Sequence, residues 1–305
     1  MIVTRIIGGL GNQMFQYAIA RNLSIHNKSS IVLDTSWFDR GRPNTDTQRS
    51  FSLSAFQIKG RVLSSALGGV PVSVEPGKKC RFHVGDAAKR QPFQGFELLY
   101  TPQLGYPVDR DAMNVRESAY LSGYWQRQEY FNTIADVIRS DFTLSYPVPE
   151  SRKKYYNGIL QKSLLYPLVS LHVRRGDYIS NPNAASHHGT MSQDWYNLAI
   201  EEMNKLVPGA CFIIFSDDID WCRKNMIFPS NSIFVEQLDG GLEKRDAEEI
   251  ILMSKCAHHI IANSSFSWWG AWLNANPKKY VIAPRNWTLT HADRGSPVPA
   301  EWITI

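Results

Sequence analysis

The chain has 305 residues, of which 43% are hydrophobic and 20% charged, the composition of a soluble globular protein with one large domain or two smaller ones. A net charge of +5 suits an anionic small ligand but is too small and too dispersed for a nucleic-acid-binding protein. The four cysteines form no Cys-x-x-Cys pair, which argues against structural zinc and favours reduced thiols. No signal peptide precedes the first strand, and no apolar stretch reaches the roughly 20 residues of a membrane helix, so we expect a cytoplasmic protein without a transmembrane segment.

Apolar runs alternate with polar turns and helical patterns along most of the chain. MIVTRII predicts a first strand, and the glycine-rich turn GGLGN follows it. In the next segment Phe15, Ala18, Ile19 and Leu23 lie three or four residues apart, as on the core-facing side of a helix. SSIVLD then predicts a second strand. The pattern weakens between residues 41 and 120, where Pro, Gly and basic residues are frequent.

A second series of strands follows the proline-rich break SYPVPES at residues 145–151. The predicted strands are PLVSLHV, ACFIIF, SIFVE, HHIIA and YVIA, and helical patterns separate them. Alternating strands and helices are typical of parallel sheets covered by helices. We therefore predict two α/β domains, residues 1–147 and 148–305.

The segment HVRRGDY puts fixed charge directly behind a buried strand, where parallel sheets bind their ligands. Alternation along a strand puts His172 and Arg174 on one side and Arg175 on the other. Because a guanidinium matches the geometry of a phosphate, we predict that Arg174 binds a ligand. Arg175 is predicted to pair with Asp177 and to close the strand end.

The segment ANSSF precedes another predicted helix, SWWGAWL. Helix starts offer unbonded N–H groups to anions, so Asn263, Ser264, Ser265 and the amide of Phe266 are candidates for binding phosphate. Plain N-capping explains the same spacing equally well, and both interpretations stay open.

The turn GGLGN and Asp34 partly match a dinucleotide-binding motif. Gly9 and Gly11 allow the backbone to approach a ligand closely, and Asp34 ends the second strand. Met14 stands where the motif requires its third glycine, so the match is incomplete.

The segment FSDDID contains Asp218-Ile-Asp220, a pattern that holds a divalent metal in some glycosyltransferases. Acidic residues are also favoured in the first turn of a helix, and this second interpretation is the stronger one. Ser216 and Asp217 remain candidates for contacts with a ribose or a base. Glu249 lies in a predicted helix, where composition alone predicts a solvated face.

Together these segments resemble the bacterial type of the α-1,2-fucosyltransferase family. The resemblance rests on GGLGNQMFQYA at 8–18, GYWQ at 123–126, HVRRGDY at 172–178, HHG at 187–189, FSDD at 215–218 and EIILMSKCAHHIIANSSFSWWGAWL at 249–273. It implies a GT-B fold, two Rossmann-like domains facing across a cleft. It also implies GDP-L-fucose as the donor, bound mainly by the C-terminal domain, with no metal and no other cofactor.

The resemblance assigns roles to residues of the donor site. Arg174 would bind the diphosphate, His172 would lie near the nucleoside, and the 264–266 segment would hold phosphate. The acid at position 249 would recognise guanine; relatives usually have aspartate there, whereas this sequence has glutamate.

The implied reaction moves fucose from GDP-β-L-fucose to the 2-hydroxyl of a terminal galactose, with inversion to an α linkage. Arg174 and the helix-start amides would stabilise the charge that grows on the departing diphosphate. Asp177 and His188 are candidates for the base that takes the hydroxyl proton.

The acceptor is implied to be a galactose-terminated oligosaccharide. Asn12 and Gln13 would face the fucose or this acceptor. Trp37, Tyr124 and Trp125 are candidates for sugar-stacking faces, although core packing is the commoner role of such side chains.

Three alternatives stay open at this point. The first is a metal-dependent nucleotide-sugar transferase that uses Asp218 and Asp220. The second is an NAD(P)-dependent oxidoreductase that uses GGLGN and Asp34, and the third is a non-catalytic sugar-binding module. Peripheral membrane contact would suit a lipid-linked acceptor, but no amphipathic anchor stands out in the sequence.

Overall fold

The computed structural model describes residues 1–38, 49–63, 97–100, 107–116, 118–176, 181, 186, 189–236, 238, 242–289 and 295–305. The chain forms two compact units, Met1–Thr143 with Asp293–Pro297 and Leu144–Ala292 with Val298–Ile305. The division after residue 143 lies four residues before the division predicted after residue 147.

The first unit is built on a five-stranded parallel sheet in the order β3-β2-β1-β5-β4. Its strands are β1 (Ile2–Arg5), β2 (Ile31–Asp34), β3 (Arg61–Leu63), β4 (Glu97–Tyr100) and β5 (Ala119–Ser122). Its helices are α1 (Leu10–His26), α2 (Arg110–Met113) and α3 (Ala135–Asp141), with 3₁₀ turns at Leu53–Ala55, Gln128–Tyr130 and Asn132–Ile134. Every residue of β1, β2 and β5 is buried, as expected of parallel strands covered on both faces.

The second unit contains a six-stranded parallel sheet in the order β11-β10-β9-β6-β7-β8. Its strands are β6 (Leu168–Val173), β7 (Cys211–Ser216), β8 (Ile233–Phe234), β9 (His258–Ile260), β10 (Val281–Ala283) and β11 (Ile303–Thr304). Its helices are α4 (Glu150–Leu160, continued by a 3₁₀ turn at Gln161–Leu164), α5 (Gln193–Leu206), α6 (Ile219–Asn225), α7 (Leu242–Ser254) and α8 (Ser265–Leu273). The prediction of two parallel α/β domains is confirmed.

Alternation along the central strands of the second unit builds a core on each face of the sheet. Val169, Leu171 and Val173 of β6 belong to an apolar cluster that includes the buried side of α5. Leu168, on the opposite face of β6, belongs to a second cluster with residues of α4 and α7. His172 therefore points to the α4 and α7 face, because side chains two residues apart share a side.

Strand order changes direction once in each sheet, between β1 and β5 in the first and between β6 and β9 in the second. Open α/β sheets bind ligands outside the carboxyl ends of their strands at such a point. In the second unit the two loops concerned are those that follow β6 and β9, which carry Arg174 and Ser264.

A buried polar chain fastens β9 to β6 and to the end of α8. His259 is fully buried, with Nδ1 2.8 Å from the Ser170 hydroxyl and Nε2 2.9 Å from the amide nitrogen of Asn274. Burial lowers the pKa of His259 well below its usual value, so the ring is neutral.

The sequence predicts reduced thiols and no transmembrane segment, and the structure bears on both predictions. Cys211, Cys222 and Cys256 are buried free thiols, and Cys80 lies outside the described residues. Within the described ranges, no helix is both long enough and apolar enough to cross a bilayer.

Candidate functional site

The loop after β6 is held in place by a carboxylate from the loop after β7. Arg174 Nη1 lies 2.9 Å from Asp217 Oδ2, and the backbone N–H of Arg175 donates to Asp217 Oδ1 at 2.9 Å. A Cβ atom at Gly176 would stand 2.5 Å from Asp217 Oδ2, so this approach requires glycine. Asp217 therefore fixes the position of the Arg174 guanidinium as well as the path of the backbone.

Arg175 points away from Arg174 and makes structural contacts. Its guanidinium carbon stacks 3.3 Å from the centre of the Trp221 ring, and its Nε lies 3.5 Å from Asp218 Oδ2. Arg175 thus has the anchoring role that was predicted for it, with Asp218 as an acidic partner. Asp177, the partner predicted from the sequence, lies outside the described residues.

Asp218 also caps α6, since its Oδ1 accepts the Trp221 N–H at 3.2 Å. Ser216 Oγ accepts the backbone N–H of Asp218 at 3.0 Å, which fixes the turn. Asp220 is largely exposed and lies 3.7 Å from Arg223. Across the described ranges, no three His, Cys, Asp or Glu side chains are grouped so that they could hold a metal ion. These contacts favour the helix-start interpretation of FSDDID.

His172 lies at the end of β6 against the first turn of α8. Its ring centre is 5.5 Å from that of Phe266 and the residue is 4% exposed. Burial lowers the pKa of His172 to about 3; the charge of Asp217 opposes this shift and that of Arg174 adds to it. The ring is therefore neutral at physiological pH. Among the described residues its Nδ1 has no hydrogen-bond partner, and such a buried nitrogen is costly unless a ligand or water satisfies it.

The first turn of α8 is not capped by the side chain that precedes it. Ser264 occupies the N-cap position, but its hydroxyl makes no capping hydrogen bond. The N–H groups of the first turn have no acceptor within a helix, and their dipoles favour an anion. The structure therefore favours the anion-binding interpretation of ANSS over plain capping by Ser264. Ser265 and Phe266 are half-buried at this helix start.

Asn263 fastens two loops beside the start of α8. Its Nδ2 donates to the carbonyl of Gly189 at 3.1 Å and to that of Trp287 at 3.4 Å. Gly189 adopts a φ of +65°, and a Cβ atom there would meet Leu289 at 2.7 Å. Both hydrogen bonds from Asn263 are structural, because they hold the loops that contain Gly189 and Trp287 in place.

Glu249 projects from α7 on the same side of the sheet. Its carboxylate is 14% exposed and lies 3.7 Å from the Nε of Arg245. Burial raises the pKa of Glu249 to about 8; the charges of Asp246 and Asp217 raise it further, and Arg245 opposes them. Without a ligand, most of this carboxyl group is protonated at neutral pH. Composition alone predicted a solvated helix face for Glu249, and this prediction is wrong.

The neighbouring acid, Glu248, ties α7 to α4 and was not anticipated from the sequence. Arg152 donates to its two carboxylate oxygens at 2.9 and 3.0 Å, and the hydroxyls of Tyr146 and Tyr156 donate at 3.0 Å each. The Glu248 side chain is 1% exposed. Four donated bonds satisfy this buried carboxylate, which fixes the rotation of α7 and hence the direction of Glu249.

The glycine turn of the first unit is tied to the GYWQ segment. Asn12 Oδ1 accepts a hydrogen bond from Gln126 Nε2 at 2.7 Å, joining the first turn of α1 to the loop after β5. Gly8 has a φ of +76°, and a Cβ there would stand 2.8 Å from Asn12 Nδ2. Gly9 is the N-cap of α1, whose first turn contains Asn12.

Two further predictions for the first unit differ from the structure. Gln13 is fully buried and holds the 50–52 segment: its Nε2 donates to the carbonyls of Gly8 and Ser50, and its Oε1 accepts the Ser52 N–H. It therefore faces no sugar. Trp125 is 2% exposed and packs edge-on against Tyr130, so its ring belongs to the core.

Asp34 has a structural role, which removes the basis of the dinucleotide interpretation. Its Oδ1 accepts the backbone N–H of Ser36 at 3.0 Å, and its Oδ2 accepts the Tyr120 hydroxyl. The residue is 3% exposed and lies at the end of β2, which pairs with β1 on one side and with β3 on the other. Its carboxylate is thus engaged by the protein itself.

The chain is similar to several known glycosyltransferases. The family model described as Glycosyl transferase family 11 matches residues 99–305. An α-1,2-colitosyltransferase of Escherichia coli is 32% identical over 100% of this chain and 99% of its own length. The galactoside 2-alpha-L-fucosyltransferase Sec1 of Mus musculus is 24% identical, over 92% of this chain and 66% of its own. The crystal structure of the fucosyltransferase NodZ from Bradyrhizobium superposes with a TM-score of 0.51 at 12% identity, covering 88% of this chain and 92% of that one.

The chain belongs to glycosyl transferase family 11. It is a glycosyltransferase, and the family resemblance read from its motifs is confirmed. The likeness to NodZ extends to the fold and confirms the GT-B class of paired α/β domains. The oxidoreductase, metal-dependent and non-catalytic alternatives are not favoured.

Several predicted residues of this family 11 transferase converge in the second unit. Arg174, His172 and the α8 start come from the two loops at the switch point, with Glu249 on the helix before β9. Asp177 and His188 lie outside the described residues, so their predicted catalytic roles remain predictions. The positioning role of Asp217 was missed, because the sequence does not show that β6 and β7 lie side by side.

Proposed function

We propose that the enzyme transfers L-fucose from GDP-β-L-fucose to the 2-hydroxyl of a terminal galactose, with inversion, forming an α-1,2 linkage. One observation carries the proposal: the loops after β6 and β9 flank the switch point, one with a positioned arginine and the other with an uncapped helix start. Such a pair of features fits a diphosphate. The name of the mouse relative, a galactoside 2-alpha-L-fucosyltransferase, supports the choice of sugar and acceptor.

Arg174 and the first turn of α8 act on the leaving group. As the bond between fucose C1 and the phosphate oxygen breaks, negative charge grows on the GDP diphosphate. Fixed donors stabilise that charge more in the transition state than in the ground state, and one such donor contributes about 3 kcal/mol in comparable sites. A guanidinium has five N–H donors, so a bond from Nη1 to Asp217 is compatible with bonds to phosphate. We propose that these donors replace a metal ion and that the enzyme needs no cofactor.

Glu249 and His172 are proposed to hold the nucleoside. A carboxylate matches the N1–H and N2–H donors of guanine, and the low polarity around Glu249 would strengthen those bonds. His172 Nδ1 needs a partner that the described residues do not supply, and a nucleoside hydroxyl or amino group would provide one. Asn12, in the first unit, is proposed to face the sugars.

A donor and acceptor panel in EDTA, read by mass spectrometry with linkage analysis, tests this function. We expect fucose on O2 of a terminal β-galactoside and no dependence on added Mg²⁺ or Mn²⁺. Loss of activity on chelation that Mn²⁺ restores would contradict the metal-free mechanism.

Arg174→Ala tests the role of the guanidinium. We expect kcat/KM to fall by roughly 10²–10³, with only partial recovery in Arg174→Lys, because lysine lacks the planar fork. Arg116→Ala is the matched control, since Arg116 is exposed in the first unit. Activity within twofold of wild type in Arg174→Ala would refute the diphosphate role.

Colitose is a second candidate for the transferred sugar. The relative that matches the whole chain at 32% identity is named as a colitosyltransferase. Colitose is L-fucose without its 3-hydroxyl group, so both sugars suit the same diphosphate site. Competing GDP-fucose and GDP-colitose in one reaction distinguishes them, because the two products differ in mass by one oxygen atom.

A further inference from the structure

The exposed apolar side chains of the second unit are concentrated at one edge of its sheet. Among the described residues of this unit, nine large apolar side chains are exposed. Six of the nine lie at the entries to strands β6, β7, β8 and β10: Ile227 (85% exposed), Leu164 (83%), Leu165 (72%), Tyr166 (40%), Tyr280 (40%) and Leu206 (38%). We call these strand entries the N-terminal edge.

Parallel strands bring these entries together. In a parallel sheet all N-terminal strand ends meet at one edge, opposite the edge where the donor site is proposed. β8, β7 and β6 are neighbours in the sheet, so the entries that carry Ile227, Leu206 and the Leu164–Tyr166 segment are adjacent. Residues 161–167 are all exposed. Single exposed apolar residues are normal on a protein surface, but a contiguous group of exposed apolar residues is not.

The same edge is basic. The connections that enter β6 to β10 are residues 161–167, 207–210, 226–232, 255–257 and 274–280, and they contain four lysines and no acidic residue. Lys162, Lys255 and Lys278 are exposed, while Lys279 bonds to the carbonyl of Asn274. The connection that enters β11, the far strand of the sheet, contains two acidic residues in the sequence, Asp293 and Glu301. Lys162 is close enough to the start of β7 to lower the pKa of the Cys211 thiol against the effect of burial.

We propose that the N-terminal edge is a peripheral binding face for anionic lipid bilayers. Leucine and tyrosine side chains of an exposed turn enter the region between headgroups and acyl chains, and the surrounding lysines pair with anionic headgroups. The absence of acids from these five connections favours an anionic partner over a neutral or basic one. A second copy of the chain would bring lysines against lysines, which disfavours self-association through this edge.

Vesicle co-sedimentation of the full chain tests the proposal without requiring catalytic activity, so it is independent of the proposed function. We expect binding to vesicles that contain phosphatidylglycerol, little binding to vesicles of phosphatidylcholine alone, and weaker binding as salt shortens the screening length from about 10 Å to about 3 Å.

Two variants assign the binding to this edge. Leu164→Ser/Leu165→Ser and Lys162→Gln/Lys255→Gln/Lys278→Gln should each lower the partition coefficient by about tenfold or more. Leu198→Ser, at another exposed leucine of the same unit (46% exposed), is the matched control and should bind like wild type. All three variants should keep wild-type circular dichroism and wild-type activity on a soluble acceptor.

Three results would overturn the proposal. The wild-type chain could fail to sediment with phosphatidylglycerol vesicles, or Leu164→Ser/Leu165→Ser could bind as well as Leu198→Ser does. The third result is a wild-type dimer, seen by light scattering, that Leu164→Ser/Leu165→Ser dissociates. The last result would mean that a second copy covers this edge.

Discussion

Glu249→Gln tests whether the buried, ionisable side chain at position 249 makes the folding free energy depend on pH. Burial raises the pKa of Glu249 from 4.5 to about 8. At ~1.4 kcal/mol per tenfold change in equilibrium constant, this difference corresponds to a few kcal/mol of folding free energy. The folded chain keeps a proton that the unfolded chain has already released, so this contribution is fully present below pH 4.5. It decreases as the pH rises and is lost above about pH 8.

Glutamine cannot titrate, so the variant should lack this loss of stability. Urea unfolding of wild type and Glu249→Gln at pH 5, 7 and 9 measures the difference. We expect the free energy of unfolding of the variant, relative to wild type, to increase by about 2–4 kcal/mol from pH 5 to pH 9. A difference that stays constant over this range would refute the raised pKa.

The same titration controls donor binding if the carboxylate recognises guanine. With a pKa of about 8 in the ligand-free enzyme, the affinity for GDP should increase about tenfold from pH 6 to pH 7 and about fivefold from pH 7 to pH 8. Calorimetry with GDP measures this slope, and pyrophosphate, which lacks guanine, controls for ionisation of the phosphates. A Glu249→Gln variant that binds GDP weakly but with the same slope as wild type would show that another group titrates.

Three further predictions concern positions whose contacts are structural. Glu248→Gln should lower the free energy of unfolding by about 3–5 kcal/mol in urea, because it leaves the Arg152 charge buried without its partner; an effect below 1 kcal/mol would contradict this. Gly176→Ala puts a Cβ against Asp217 and displaces the loop, so kcat/KM should fall by about 10² in steady-state assays while the melting temperature changes little. His259, whose pKa is lowered by burial, contributes stability that is present above pH 6.5 and lost as the pH falls; a His259→Gln variant should show a smaller drop in urea midpoint from pH 7 to pH 5 than wild type.

The framework of the fold could be read from the sequence because its strands are fully buried. β6 and β7 are six-residue strands that are buried at every position and mostly apolar, and such a run bounded by polar turns has few other structural explanations. The positions of Arg174 and Ser264 at strand ends follow from the same reading. The order of the strands within each sheet cannot be predicted in this way, because local sequence patterns do not show which strands pair.

Polar residues were harder to assign, since burial of a charge depends on partners far along the chain. Glu248 and Glu249 are adjacent and chemically identical, yet Glu248 accepts four hydrogen bonds, whereas Glu249 is poorly solvated and has a raised pKa. The partners of Glu248 come from residues 146–156, about a hundred positions earlier. Gln13 is likewise buried in α1, where it bonds to a segment that begins at Ser50. Periodicity in the sequence does not show whether a buried polar side chain bonds to a distant part of the protein, as Glu248 and Gln13 do, or to a ligand.

The two edges of the second sheet differ in chemistry, and this difference limits the acceptors if both proposals hold. β6 has six residues, so the donor loops stand about 20 Å from the lysine-rich entries at a rise of ~3.3 Å per residue. An enzyme that rests on a bilayer through its N-terminal edge would therefore hold the leaving diphosphate well above the headgroups. A galactose attached directly to a lipid would not reach that height, whereas the end of an oligosaccharide of several sugars would. On vesicles, transfer to a lipid-linked acceptor should consequently increase with the number of sugars beneath the terminal galactose, and in detergent micelles this dependence should weaken.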